Sequence, residues 1–582
     1  MLGPIFNREF LTVPRRSRHY VERSLYLLIL WVLALTAWQA TFGWGQRISQ
    51  GDLAYFGTFL FQLLSGLELV LVLFFAALFA AAAITLEKDR RTFVLLLLTD
   101  MRNYEIVLGK LFGSLLRIGA LVACAVPVLA MTMILGGVAF HQVGFTFLIL
   151  ACSALAAGAL GNLLALWREK TFQTLALTVL CLVLYLLLAE GLGAVPELAA
   201  WRSRLSPLHA LVAVIEQQPT ANWLEMPAVA YSGLMLLFTA LLAGLGVWKL
   251  RVWNPSGEPI QQPDTIEGTE QAPAKKLDIH ASPGKARDVW PNPVLWREMW
   301  TRAYGRKTLM IKVFYLLVFG LICYGVVWDL PAPDRTNRLT IALSLVPVTV
   351  LSLLLLNAQA VTSVTTERDL KALELLLVSD LTPKEFLFGK LGGVFYNTKE
   401  IVLPPLLLTL AFAWWRYIGW ETFLYVEIAL VVLLVFTATL GLHIALRKEN
   451  TRIAIGQSLG TIFILFIGTL ISIYLILVSG RFEEQWTSFV FFLAIGIGGL
   501  WVILGGSNPS AAITVASVAC PLGMFYTVTS VLIGDPRTGQ AGDPLWPFLV
   551  ISSAFGFTVA AMLVPLLSEF DVALGYKTPA EE

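Results

Sequence analysis

Charge is what this 582-residue chain has least of. Asp, Glu, Lys and Arg make up 14% of it, where a soluble domain carries roughly a quarter. With 57% hydrophobic residues and a mean hydropathy of +0.75, the composition excludes a soluble globular protein and reads as an integral membrane protein. Cysteine is scarce as well. Cys124, Cys152, Cys181, Cys323 and Cys520 are odd in number, lie inside apolar runs and form no CxxC. That argues against a disulfide framework and a metal cluster, and leaves small buried hydrophobes. His19, His141, His209, His280 and His443 are isolated, without HExxH or paired spacing, so no metal is expected. No GxSxG or Ser/His/Asp arrangement can be assembled. No Walker A run exists: Gly109-Lys110 and Gly389-Lys390 are followed by Leu and lack the upstream Gly of a phosphate-cradling loop. No enzyme chemistry and no cofactor are therefore expected in this chain, and the net charge of +2 gives no reason to expect nucleic acid. The first apolar run begins only near Ser24 and is long enough to span, so no cleavable signal peptide is expected.

What the chain does have, it has twice. Residues 87–113 and 367–393 align without a gap at an offset of 280. Glu87, Asp89, Asp100, Glu105, Gly109, Lys110 and Gly113 match Glu367, Asp369, Asp380, Glu385, Gly389, Lys390 and Gly393, together with several leucines. The same offset returns downstream, where Gly161, Ala165, Glu169 and Thr171 match Gly441, Ala445, Glu449 and Thr451. A register shared over about 80 residues marks a tandem duplication. Each copy reads as helix, turn, helix. Thr99-Asp100 and Ser379-Asp380 favour a turn. Thr382-Pro383-Lys384-Glu385 reads as a capping box with Pro at the first helical position, whereas Arg102 makes a weaker start in the first copy. The helix after the turn is expected to be short, lying on a membrane surface or docking into a partner's groove. Gly109 and Gly389 recur inside it although Gly costs about 1 kcal/mol there relative to Ala. Close approach of another backbone would explain them. Lys88, Arg90 and Arg91 read as ordinary anchors just outside a span.

Apolar runs at about 25–44, 55–86, 118–136, 143–167, 172–194 and 226–248 are each long enough to cross about 30 Å of hydrocarbon. Six crossings return the chain to its starting side, so a second unit enters in the same sense as the first. The expected division is a transmembrane unit over 1–250, a flexible linker over 251–290 rich in Pro, Gln, Glu and Gly, and a second unit over 291–582. Pro4-Ile5-Phe6-Asn7-Arg8-Glu9 returns as Pro293-Val294-Leu295-Trp296-Arg297-Glu298 before the first span of each. Three apolar stretches at 488–505, 511–533 and 545–567 stand where the first unit has one span, so the total is 12 or, with an inserted hairpin, 14. Only Arg47, Arg202, Arg204, Arg335, Arg338, Arg416, Arg481 and Arg537 of the 41 Lys and Arg fall on the predicted outer side. That bias puts the N-terminus and both hinges in the cytoplasm.

The hinge resembles the loop between the second and third spans of permeases of the ABC-2 type, membrane subunits of ABC transporters. Phe93-Val94-Leu95-Leu96-Leu97 and Leu373-Glu374-Leu375-Leu376-Leu377 occupy one slot of that pattern. Glu105-Ile106-Val107-Leu108-Gly109-Lys110-Leu111 and Glu385-Phe386-Leu387-Phe388-Gly389-Lys390-Leu391 occupy the other. The resemblance implies an all-α integral membrane protein of a bacterial-type plasma membrane, with elbow helices at 4–9 and 293–298 or, read blandly, basic flanks there. It implies a separate cytoplasmic ABC ATPase partner, and export rather than import of an unknown substrate. It assigns ATPase coupling to Glu87, Asp89, Asp100, Glu105, Gly109, Lys110 and to Glu367, Asp369, Asp380, Glu385, Gly389, Lys390. Asn357 and Gln359, inside the second span of the second unit, read either as pathway residues or as helix–helix hydrogen-bonding groups. Glu68 and Glu190 read as interfacial acids near the outer side. A secondary transporter driven by an ion gradient and a non-transporting scaffold are the alternatives.

Overall fold

The computed structural model describes residues 3–12, 17–42, 49–194, 196–216, 226–254, 290–300, 309–329, 338–373, 376, 381–479, 486–505, 510–533 and 543–573. Most of the expected linker and Asp380 lie outside them. The protein is all-α, with no strand among the described residues. In hydrocarbon every backbone N–H and C=O must be bonded within the protein, which a helix achieves inside a single segment.

The first half runs α1 (Gly3–Thr12), α2 (Ser17–Phe42), α3 (Gln50–Asp89), α4 (Thr92–Leu98), α5 (Asn103–Leu135), α6 (Phe140–Trp167), α7 (Thr171–Gly191), α8 (Ala199–Leu205), α9 (Pro207–Ile215) and α10 (Pro227–Trp253). The second runs α11 (Pro293–Trp300), α12 (Leu309–Asp329), α13 (Arg338–Asp369), α14 (Pro383–Asn397), α15 (Lys399–Trp414), α16 (Trp420–Arg447), α17 (Thr451–Ser479), α18 (Trp486–Gly505), α19 (Ala511–Ile533) and α20 (Leu545–Ala573). Ten of these helices are long and apolar enough to cross a bilayer over their described residues. At the far end of the second half the path differs from the first. Arg447, closing α16, donates to the carbonyl of Leu504 at 2.8 Å, so α18 ends on the side where α16 ends. Leu566 of α20 is buried with Phe386 and Leu387 at the start of α14, which returns α20 to that side too. The hairpin α18–α19 thus stands between α17 and α20, where the first half has only the short α8 and α9.

The halves meet reciprocally. α7 packs on α12 and α13, while α17 packs on α2 and α3; Phe74 of α3 stacks on Phe463 of α17 with centroids 4.3 Å apart. Within each half the second span crosses the fourth at a glycine. A Cβ on Gly161 would stand 2.2 Å from the carbonyl oxygen of Ala77, and one on Gly441 would stand 3.1 Å from that of Asn357; 77 and 357 are again 280 apart.

Helix length departs from expectation after the first hinge. The helix following the turn is no separate surface element: α5 runs unbroken from Asn103 to Leu135. Its 33 residues span about 50 Å and the 40 of α3 about 60 Å, well beyond the about 30 Å of hydrocarbon. In the second half the helix does break, at Thr398 between α14 and α15 (φ −108°, ψ 12°).

The Gly161 contact leads to a first prediction. Gly161→Val should cost about 1–3 kcal/mol through overpacking against α3. Gly119→Ala, with nothing within 4 Å of its added Cβ, should be neutral or slightly stabilising. Thermal unfolding of the two purified variants checks the contrast, and equal losses would overturn it.

Candidate functional site

Three consecutive charges close α3 (Glu87, Lys88, Asp89) and three close α13 (Glu367, Arg368, Asp369). Successive helical residues point about 100° apart, so three in a row fan across more than half the circumference and can reach three neighbours. Both triplets do so. Glu87 pairs with Lys110 of α5, and Glu367 with Lys390 of α14 at 2.7 Å. Lys88 Nζ donates to the carbonyls of Leu166 (2.7 Å) and Arg168 (2.9 Å) where α6 ends; Arg368 donates to those of Ala445 and Lys448 where α16 ends. These are carbonyls that a helix terminus leaves without partners of its own. Asp89 accepts from the hydroxyl of Thr171 and Asp369 from that of Thr451 at 2.8 Å, at the first residues of α7 and α17, where an acid is also favoured by the helix dipole. Each triplet therefore ties the second span to the third, fourth and fifth.

The turn that follows repeats as well. Arg91 has φ +58° and Lys371 φ +56°, left-handed values that cost a residue with a Cβ about 1–2 kcal/mol. In the first copy this turn leads into α4, which buries Phe93 and Leu97 and exposes Leu95, Leu98 and, just beyond, Asp100. Glu105 and Glu385 then serve the starts of α5 and α14. Glu105 Oε2 accepts from the backbone N–H of Arg102 at 2.9 Å, with no side-chain cap in return. In the second copy the box is complete: Glu385 Oε2 accepts from Thr382 N at 2.9 Å, and Thr382 Oγ1 accepts from Glu385 N at 3.2 Å. The backbone N–H and hydroxyl of Thr382 hold the Glu385 carboxyl below the usual carboxylate range.

Over each hinge helix lies an amphipathic helix, α1 or α11. A Cβ on Gly113 would stand 3.3 Å from Glu9, and one on Gly393 would stand 2.6 Å from Glu298. At Gly389 the approach is to Val294 Cβ (2.8 Å) and the backbone N of Leu295 (3.1 Å), the close crossing that its recurrence suggested. Gly109 is buried at the equivalent place. Among the described residues the second copy has an ion pair that the first lacks: Lys390, 1% exposed, lies 2.7 Å from Glu298, 3% exposed. Burial pushes the Glu298 carboxyl up, but Lys390 and Arg297 outweigh it and hold the group below the usual range. A second asymmetry joins the halves. Arg90 Nε lies 3.6 Å from Asp369 Oδ1, while position 370, its counterpart, is Leu.

The other singled-out residues divide. Asn357, 0% exposed, donates to the carbonyl of Thr437 at 3.0 Å and accepts from Ser458 at 2.7 Å, so it ties α13 to α16 and α17. Gln359 is equally buried, yet neither of its amide atoms has a hydrogen-bond partner among the described residues. Its counterpart Phe79 lies 4.0 Å from where a Cβ on Gly456 of α17 would stand, so Phe79 faces the fifth span of the other half. Glu68 is no snorkelling acid. It is 1% exposed and accepts from the Tyr26 hydroxyl, because α2 covers it. Glu190 is tied to α8 and α9 through Arg202 (2.7 Å) and Ser206. Sequence reasoning passed over Lys88 as an anchor outside a span and did not single out Arg368; both bond helix ends. It noted Thr171 and Thr451 only as matching letters. The shared offset was the available signal for all four.

Residues 49–248, about a third of the chain, match the family described as "ABC-2 family transporter protein". They form an ABC-2 transporter domain. The matched residues hold the first triplet, its turn and α5, and the family they match is one of membrane transport components. The second hinge lies outside the matched residues and stands on the 280-residue offset and the bonds above. No curated protein matches the chain.

Two predictions arise from the ion pairs. Lys390→Met leaves Glu298 and Glu367 to Arg297 alone and, by breaking a buried pair, should cost about 3 kcal/mol, partly recovered by adding Glu298→Gln. Lys110→Met should cost less, since the Glu87 side chain is 23% exposed. Thermal unfolding in one detergent ranks the three variants, and equal losses at Lys110 and Lys390 would refute the argument. The second concerns pH. The folded Glu298 carboxyl lies below its unfolded value of about 4.3, so its contribution is complete above that pH and is lost as pH falls through the folded value. The difference in melting temperature between wild type and Glu298→Gln should be constant above pH about 5 and shrink below about 4; a gap that widens on acidification would contradict the sign.

Proposed function

We propose that the chain is a fused pair of ABC-2 permease units, over 1–250 and 291–582, joined by the linker and driven by a separate cytoplasmic ABC ATPase acting on both hinges. The observation that carries this reading is the twin triplet. A displacement applied at either turn reaches the third, fourth and fifth spans at once, because one helix end holds all three. α3 and α5 exceed the bilayer in length, so their hinge ends stand outside it as levers. Leu95, Leu98, Asp100, Arg102 and Tyr104 in the first copy, and Lys384 and Phe388 in the second, are exposed for a partner. Lys110 and Lys390 are buried and would pass the movement on rather than meet the ATPase. Gln359, buried with no hydrogen-bond partner among the described residues, is the residue assigned to the pathway; Asn357 is assigned to holding helices together. Export is carried by resemblance.

The test uses the chain purified with its ATPase, a P-loop protein expected from the neighbouring reading frame. Since Glu105 and Glu385 also cap helices, the double Glu→Gln variant, which keeps an accepting oxygen, controls for folding. The double Glu→Lys variant should lose substrate-stimulated ATP hydrolysis by about tenfold, equivalent to about 1.4 kcal/mol of coupling, with the Gln pair intermediate. Full stimulation in the Lys pair, or labelling of Asp100→Cys by an impermeant thiol reagent from outside intact cells, would defeat the proposal.

A further inference from the structure

A second feature stands apart from the hinges, at the foot of the first span. There His19, Glu22 and Arg23 of α2 face Arg117, Ala120 and Leu121 of α5 around a small cleft. His19 Nδ1 lies 2.9 Å from Glu22 Oε2, and Arg117 Nε lies 4.0 Å from the same oxygen. Among the described residues that line it, two arginines oppose one carboxylate, so this lining is net cationic. Its depth can be read on two rulers. From His19 to Gln39, the apolar part of α2, is about 30 Å, and from Arg117 to the end of α5 at Leu135 is about 27 Å. Each equals one hydrocarbon thickness. The cleft therefore sits at the rim of the apolar layer, with the hinge beyond it. Ala120 and Leu121 stand about a turn deeper than Arg117 and give the cleft an apolar upper wall.

We propose that this cleft binds the headgroup phosphate of an anionic phospholipid from the hinge-side leaflet, with the first methylenes of an acyl chain against Ala120 and Leu121. Basic pockets between spans at this depth suit such headgroups, and the apolar wall favours a lipid over free phosphate. The site adjoins the contact between halves. The Arg117 guanidinium lies 5.8 Å from the centroid of Phe79, the ring that approaches Gly456 of α17. A bound lipid would therefore bear on the seam through one arginine and one ring. This inference needs only that the chain spans a membrane and is independent of the ATPase reading.

The experiment places the full chain in nanodiscs of phosphatidylcholine, alone or mixed with a minority of phosphatidylglycerol, and measures lipid retained on delipidation by native mass spectrometry. Retention of phosphatidylglycerol should exceed that of phosphatidylcholine, and Arg23→Gln and Arg117→Gln should each weaken it about fivefold. Glu22→Gln, which removes the opposing carboxylate, should strengthen it, so the proposal does not rest on loss variants alone. Arg204→Gln, at the opposite end of the bundle, should change nothing. Retention unaffected by Arg23→Gln and Arg117→Gln would overturn the site. Displacement of phosphatidylglycerol by inorganic phosphate in the same discs would overturn its assignment to a lipid.

Discussion

The fold of each half hangs on the last three residues of its second span. A bilayer offers no hydrophobic drive to assemble helices already in lipid, so packing and polar contacts must set their mutual positions. Here a carboxylate, a cation and a second carboxylate leave one helix end in three directions, each meeting a group left unsatisfied by a neighbouring helix. The lysine of the third span, the final carbonyls of the fourth and the first hydroxyl of the fifth are bound in both copies. Removing one arm exposes a stranded charge rather than a mere gap, which makes the arrangement rigid at the place where force would enter.

Rigidity at that end has a geometric complement. α3 and α5 are about 60 and 50 Å long, so in the proposed reading the clasp lies outside the hydrocarbon, beyond the rim marked by His19, Arg23 and Arg117. A long helix clasped at its foot transmits displacement along its axis with little bending. In the proposed reading that length is what converts a push at the hinge into a change at the seam where Phe74, Phe79 and Phe463 lie.

The two hinges share one register and differ in chemistry. Lys390 faces two carboxylates where Lys110 faces one, and Arg90 meets Asp369 across the halves where Leu370 offers no counterpart. Capping is complete at Thr382 and partial at Arg102. The two hinges are thus built alike but held with different strength, which a pair of separate identical subunits could not achieve.

Much of this was legible in order of residues alone. Sparse charge and long apolar runs determined an all-α membrane protein, because an unbroken apolar run fits a spanning helix and not the alternating strands of a closed barrel. The offset of 280 located both hinges, and the capping box at Thr382 followed from local chemistry. Tertiary structure alone decided what touches what. Asn357 and Gln359 are two residues apart and equally polar, yet one is satisfied by α16 and α17 and the other by nothing described, since 200° of helical turn separates them. Glu68 read as interfacial because counting along α3 ignores the covering α2. The hinge helix read as separate because periodicity does not reveal whether a helix continues past a bilayer edge. Spacing along the chain fixes which helices form; which faces meet depends on crossings between segments far apart in sequence, and those only packing can set.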